Sequence, residues 1–256
     1  MLEREKHLVS VVDDDPSVLK ATTSLLRANG FETHSFSSAS EFLGSTDLGQ
    51  TECLVLDLRM PGMNGVELQR RLLLEGWSIP VIIVSAHASI ENREEAKRAG
   101  ALDFLSKPFS EEALLDAVRR AFETNRKCEK KRLAEDTLGA LRNRDWCRLR
   151  SLMAENITWS FPGHGLISGE AQGVEEVIRR AQMIESLGVN ITLDHVLIGK
   201  HGMVLWLQIK GKRGELILDE RLAAAFTLLG RRITAINTYL SDAETANDFC
   251  GPRNAA

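Results

Sequence analysis

Residues 53–65 read Cys53-Leu54-Val55-Leu56-Asp57-Leu58-Arg59-Met60-Pro61-Gly62-Met63-Asn64-Gly65: a short apolar run that stops on a carboxylate, then a turn-rich loop. Apolar runs of this length mark strands buried on both faces of a parallel sheet. Two further runs share the grammar. Leu8, Val9, Val11 and Val12 lead to Asp13 and Asp14, and Val81-Ile82-Ile83-Val84 leads to Ser85. Sites in open α/β sheets form at the carboxyl ends of the strands. The acids and Ser85 fall at such ends, and Lys107, directly before Pro108, completes the set.

The residue types specify a chemistry. Two or three adjacent carboxylates make a hard, oxygen-rich site suited to Mg²⁺, which takes one or two protein carboxylates plus phosphate oxygens and water. One carboxylate can also act as a nucleophile and accept a phosphoryl group as an acyl phosphate. A cation, an ammonium and a hydroxyl would then neutralise the phosphoryl oxygens.

Four segments carry a resemblance: Val11-Val12-Asp13-Asp14-Asp15-Pro16, the stretch from Leu56 to Gly65, Ser85, and Phe104-Leu105-Ser106-Lys107-Pro108-Phe109. Together, over residues 6 to 125, they resemble the receiver domain of two-component response regulators, of the FixJ type. The separations of 43 residues from Asp14 to Asp57, 28 from Asp57 to Ser85 and 50 from Asp57 to Lys107 fit that family. The resemblance implies that a sensor histidine kinase phosphorylates Asp57. It implies Mg²⁺ held by Asp13, Asp14, Asp57 and the backbone carbonyl of Arg59, with Ser85 and Lys107 binding the phosphoryl oxygens. It makes Ser85 and Phe104 switch residues and Lys107–Pro108 a cis bond. Plainer readings stand beside these. Asp13 to Asp15 can be a solvated turn, and Asp15-Pro16 reads as the N-cap and first position of a helix. Phe104 can simply be core.

Composition bounds the remainder. The 256 residues suffice for one or two domains with their own cores. No stretch approaches the roughly 20 apolar residues of a membrane span, and Met1 to Lys6 lack the apolar region of a secretory signal. Cys53, Cys128, Cys147 and Cys250 are scattered, with no paired metal spacing, as expected of reduced thiols in a cytoplasmic protein. Charge is uneven. Residues 1–125 carry 13 basic and 20 acidic side chains, residues 126–132 five and one, and residues 133–256 14 and 15. The basic excess is confined to a short segment, read as a charged helical linker over 126–132.

Residues 1–125 predict five βα units: a doubly wound, five-stranded parallel sheet of flavodoxin-like form. Helices are expected over 17–29, 39–43, 66–74, 90–99 and 111–122. Gly30 and Gly100 would close two of them, and Ser110 would cap the last, whose apolar face holds Leu114, Leu115, Val118 and Phe122.

Residues 133–249 change grammar. Helices are expected over 133–141, 146–153 and 173–187, with a short strand at 157–161. Four long strands follow, near 190–198, 203–210, 215–229 and 232–240, separated by Gly-rich turns. Helices before an antiparallel sheet make an α+β pattern. Arg144-Asp145-Trp146, Trp159-Ser160-Phe161-Pro162-Gly163, Gly169, Gly173 and the stretch from Gly230 to Tyr239 and Asp242 resemble the SnoaL-like, ketosteroid-isomerase-like superfamily. That resemblance implies a conical domain in which a curved sheet wraps over helices around a pocket. Residues 250–256 read as a tail.

Within such a pocket, alternation places His195 on the face of Ile191, Leu193 and Leu197, as a candidate base or a satisfied core histidine. Tyr239, the sole tyrosine, is a candidate donor or a packed ring. His164 sits in a Gly-rich loop at the expected rim, and Trp159 is a candidate wall. An ion pair between Asp219 and Arg221 is the expectation for that strand. No acid–base pair stands out. The output half is therefore expected to be a ligand-binding or interaction module, with a phosphorylation-gated isomerase or cyclase and a pure dimerisation module as alternatives. A homodimer is expected in each case. FixJ-type regulators end in a helix-turn-helix domain, but the last 120 residues read mainly as strands without a compact basic recognition helix, so direct DNA binding is expected to be disfavoured.

Overall fold

The computed structural model describes residues 7–87 and 89–251, apart from the side chain of Asn247. The expectations for residues 1–6, and for the tail beyond Gly251, lie outside them. The chain divides into two compact units, Met1–Arg126 and Lys127–Ala256.

In the first unit, strands β1 (Leu8–Val12), β2 (Glu32–Phe36), β3 (Cys53–Asp57), β4 (Val81–Ser85) and β5 (Asp103–Ser106) alternate with helices α1 (Pro16–Ala28), α2 (Ala39–Leu43), α3 (Gly65–Leu74) and α4 (Ile90–Arg98). All strand pairings are parallel, in the order β2-β1-β3-β4-β5. Every residue of β1, β3 and β4 is buried, as expected of central strands covered by helices on both faces. Val9, Val11, Val55 and Ile82 pack with Leu114 and Val118 on one face; Val12, Leu54, Leu56 and Ile83 pack with Val66, Leu68 and Ala96 on the other. Order 2-1-3-4-5 has its switch point between β1 and β3, and a crevice opens there at the strand ends.

Local chemistry sets the helix boundaries. Asp15 caps α1 by accepting from the backbone of Ser17 and Val18, with Pro16 at the first position. Asn64 and Glu67 form a reciprocal capping box on α3. Two boundaries differ most from expectation: the helix expected over 146–153 ends at Ser151 and the strand expected over 157–161 begins already at Met153, and the fifth helix is longer than read. Helix α5 runs without a break from Glu111 to Arg142, taking in both the segment 126–132 and the helix expected over 133–141. Residues 123–142 hold neither glycine before Gly139 nor any proline, and their charges are of mixed sign, so nothing ends the helix earlier.

The second unit holds α6 (Trp146–Ser151), β6 (Met153–Phe161), β7 (Gly169–Gln172), α7 (Val174–Ser186), β8 (Asn190–Ile198), β9 (Gly202–Arg213), β10 (Leu216–Leu229), β11 (Arg232–Leu240) and α8 (Ala243–Cys250). The strands form one six-stranded sheet, β7-β6-β11-β10-β9-β8, antiparallel except between β11 and β6. One sheet face is buried: Met203, Leu205, Leu207 and Ile209 of β9 and Leu218, Leu222, Ala224 and Phe226 of β10 share a core with Leu138, Leu149, Val177 and Ala181 of the helices. Helix α8 and strand β7 are additions to the sequence reading. Strand β7 is four residues with one buried side chain, too short for periodicity to reveal.

Candidate functional site

The parallel sheet brings together residues far apart in sequence. Asp13 follows β1, Asp57 ends β3, Ser85 ends β4, and Lys107 follows β5 across a cis bond to Pro108. Asp13 is 2% exposed and Asp57 7%. The Lys107 ammonium donates to Asp13 Oδ2 and to Asp57 Oδ1, each at 2.5 Å. Asp57 Oδ2 accepts the backbone N–H of Arg59 at 2.6 Å, so both oxygens of this carboxylate are fixed. Asp13 Oδ1 accepts from the backbone of Asp15 at 3.0 Å.

Burial pushes the Asp57 carboxyl above the ordinary carboxylate range, against the opposing pull of Lys107 and the Arg59 backbone. Burial alone would lower the Lys107 ammonium. Its bonds to Asp13 and Asp57 and their charges outweigh that, and hold it above its ordinary value. One ammonium between two carboxylates leaves the cluster net negative, with oxygen donors of the kind a hard divalent cation takes. Asp14 is exposed. Among the described residues no three His, Cys, Asp or Glu side chains converge as a metal site. Mg²⁺ does not require three, since water and phosphate oxygens complete its shell.

Ser85 is buried at the strand end, where its hydroxyl accepts from the His87 backbone N–H at 3.1 Å. Phe104 is buried in the core, with the Arg93 guanidinium 4.9 Å above its ring. Gly65, quoted in the sequence only as the end of a motif, has a packing role of its own. A Cβ there would lie 2.4 Å from the carbonyl oxygen of Asp57. The first residue of α3 therefore rests directly on the strand that carries the acid.

The second unit encloses a cavity of about 440 Å³. Trp159 lines it and donates from Nε1 to Thr238 Oγ1 at 2.9 Å. The other expected pocket residues are corrected. His195 is exposed and outside the lining, because β8 bulges between Leu193 and His195. Asp194 and His195 together face Trp206, and the extra residue reverses the alternation, so Val196 takes the inward position and Leu197 is 60% exposed. Tyr239 alternates with buried Thr238 and is 61% exposed. His164 is exposed in its loop and outside the lining. Asp219 pairs with Lys210, its cross-strand neighbour, at 3.0 Å rather than with Arg221. Of the polar residues that do line the cavity, Arg144 and Thr238 fell within stretches that carry the resemblance but were given no pocket role, and Arg142, a lone arginine at a helix end, carried no sequence signal.

No helix among the described residues is long and apolar enough to cross a membrane. The response regulator receiver domain family matches residues 9–119. Response regulator protein TodT of Pseudomonas putida F1 is 46% identical over 114 residues, 44% of this chain and 50% of TodT. The chain thus spans about half the length of that relative. Transcriptional regulatory protein TdiR of Thauera aromatica is 38% identical over 191 residues, 73% of this chain and 82% of TdiR. Among solved structures, response regulator StyR is 44% identical, with a TM-score of 0.51 over 54% of this chain and 70% of StyR. Receiver domains of this family typically bind Mg²⁺ at the phosphorylation site.

These relatives overturn one expectation. The similarity to TdiR, a transcriptional regulatory protein, extends over more residues than the first unit contains, so the expectation that direct DNA binding is disfavoured does not hold. Its physical basis was also weak. Phosphate contacts respond to where positive side chains sit locally, and net charge over 120 residues averages that placement away. The match to TdiR over most of its length, with the Asp13–Lys107–Asp57 cluster at the strand ends, places the chain in the response regulator family, its first unit a receiver domain of the FixJ and TodT type.

Proposed function

We propose that this protein is a phosphorylation-controlled regulator, not an enzyme, in which Asp57 accepts a phosphoryl group from a sensor histidine kinase. The observation that carries this is the Lys107 ammonium held between Asp13 and Asp57. One oxygen of Asp57, released from its hydrogen bond, forms the new P–O bond as the donor's P–N bond breaks, and the adjacent ammonium neutralises the phosphoryl oxygens. Asp13, Asp57 and the Arg59 carbonyl, with Asp14 nearby in sequence, would hold Mg²⁺, which supplies further charge neutralisation when bound. Ser85 would turn from His87 to the phosphoryl group. Phe104, beneath Arg93, would report that change to the α4–β5 face.

For the second unit, the reading is a small-molecule-binding output module of SnoaL-like class. One covered sheet face, helices packed on it and a cavity of about 440 Å³ between them support that reading. The volume lies within the range of small-molecule sites. With His195 and Tyr239 on the outside, the carboxylate left in the cavity lining is Glu185, which is tied up by Arg144, and this gives an isomerase or cyclase little support.

The test is phosphoryl transfer from a small-molecule donor such as acetyl phosphate with Mg²⁺, followed by intact-protein mass spectrometry. The expected result is one acid-stable, hydroxylamine-labile phosphoryl group in the parent chain and none in Asp57→Asn. Labelling of Asp57→Asn at the parent level would refute the assignment.

A further inference from the structure

The cavity of the second unit is apolar except at one end. Leu205, Leu207, Ala224, Phe226 and Ile236 of the sheet face it, along with Leu138 and Ala181 of the helices. Its charged lining residues are Arg142, Arg144 and Glu185. All three sit where elements end: Arg142 is the last residue of α5, Arg144 lies two beyond, and Glu185 is in the last turn of α7. Asn190, which opens β8, also lines the cavity. Arg142, Arg144 and Asn190 are exposed, so this end is the mouth, and the rest of the lining is apolar apart from the Thr137 and Thr238 hydroxyls and the Trp159 N–H.

The charges do not cancel. Arg144 pairs with Glu185 at 2.5 Å. Arg142 pairs with no carboxylate among the described residues; its guanidinium reaches only the Ile191 carbonyl oxygen, at 3.5 Å. The mouth thus carries one positive charge in excess, on an exposed guanidinium beside an apolar interior. Arg144 has φ +57°, a left-handed position that glycine usually fills after a helix. An L-residue there costs about 1 kcal/mol. The chain thus keeps an arginine at the mouth where glycine would be the less strained choice. Elsewhere in the lining, the Thr238 hydroxyl accepts from Trp159 and keeps its own proton to donate.

We propose that the cavity receives an amphiphilic monoanion, a carboxylate on an apolar body, with the carboxylate at Arg142 and the apolar part among the sheet and helix side chains. The inference rests on the small-molecule reading of the cavity. A planar guanidinium matches a carboxylate with two parallel hydrogen bonds. A cationic amphiphile would meet the excess positive charge, and a neutral one would gain nothing from Arg142.

The test uses the full chain and isothermal titration with three probes of equal chain length: decanoate, decanol and decyltrimethylammonium, each below its micelle concentration. Decanoate is expected to bind one per chain, decanol about tenfold more weakly, and the ammonium compound not at all. Arg142→Ala is expected to weaken decanoate about tenfold and leave decanol unchanged. Ala224→Phe and Ala181→Met, each checked for folding by circular dichroism, fill the cavity from opposite walls and should weaken both. Equal binding of decanoate and decanol, indifferent to Arg142→Ala but lost in a filled cavity, would overturn the anion assignment and leave the cavity as a binding site. Failure of all three probes to bind would overturn both.

Discussion

Lys107→Met is expected to destabilise the first unit by about 3 kcal/mol at neutral pH, the scale for removing one partner from a largely buried ion pair. The ammonium is the sole cation bonded to Asp13 and Asp57 among the described residues, and both acids are buried. Removing it leaves two carboxylates facing each other in a site that already disfavours ionisation. The pH dependence separates this from simple loss of packing. In the parent chain the Asp57 carboxyl is held above its unfolded value, so its ionised form costs stability at neutral pH and the cost fades as pH falls through the folded value. Without Lys107 the opposing pull is gone, so the penalty grows and begins at higher pH. The variant should recover towards parental stability on acidification. At the alkaline end the sign reverses. Lys107 is held above its unfolded value, so its contribution is complete below that value and is lost as pH rises through the folded one. The variant should lack this alkaline loss. Urea titration followed by hydrogen exchange in β1 and β3 reads both limbs. A pH-independent deficit would show that packing of the lysine stem, and not its charge, holds the site.

Gly65→Ala should be nearly as damaging, for a steric reason. The new Cβ would meet the Asp57 carbonyl oxygen at 2.4 Å and the Leu56 side chain at 3.2 Å. Neither can retreat, since β3 is buried throughout and paired on both sides. The helix is equally constrained, because Gly65 donates to the Leu58 carbonyl at 3.0 Å and the Asn64–Glu67 box fixes its first turn. Overpacking at such a point costs about 1–3 kcal/mol. A displacement of the acid by even a fraction of an ångström should slow phosphoryl transfer to Asp57, by as much as about 100-fold for a shift near 1 Å. Gly62→Ala is the comparison. A Cβ at Gly62 meets nothing within 4 Å, but φ is +79°, so the expected cost is only the strain of a left-handed alanine, about 1 kcal/mol, with little change in transfer rate. Rates measured with acetyl phosphate for both variants check the contrast. Equal slowing would mean that loop conformation, rather than the contact with Asp57, governs the acid's position.

The receiver was legible because its information is local and redundant. Each apolar run is a strand buried on both faces, each ends in a functional residue, and the acids and Lys107 lie at separations that a single fold accounts for. Helix α5 was legible at its start, where Ser110 and two glutamates mark it, but not at its end, because residues 126–142 carry no stop signal until Asn143. The second unit resisted for another reason. Its strands alternate, so which side chains face the cavity depends on phase, and one bulge at Asp194 moved His195 from the expected interior to the surface. Composition cannot register a bulge. Arg142 at the cavity mouth was silent, since a helix-terminal arginine reads in sequence like any solvated charge, and Arg144 was visible only as part of a family resemblance.

The bulge in β8 also bears on how this chain tolerates changes in length. β8 is an edge strand, paired only with β9 among the described residues. Loss of Asp194 would turn the two-against-one arrangement into regular pairing, with Leu193 and Val196 still inward and His195 and Leu197 still outward. A one-residue deletion there removes a kink and leaves every wall of the cavity where it was. In a strand without a bulge, the same deletion would turn half its side chains inside out. The irregularity gives this edge of the sheet one position where the genetic text can shorten without loss of sense.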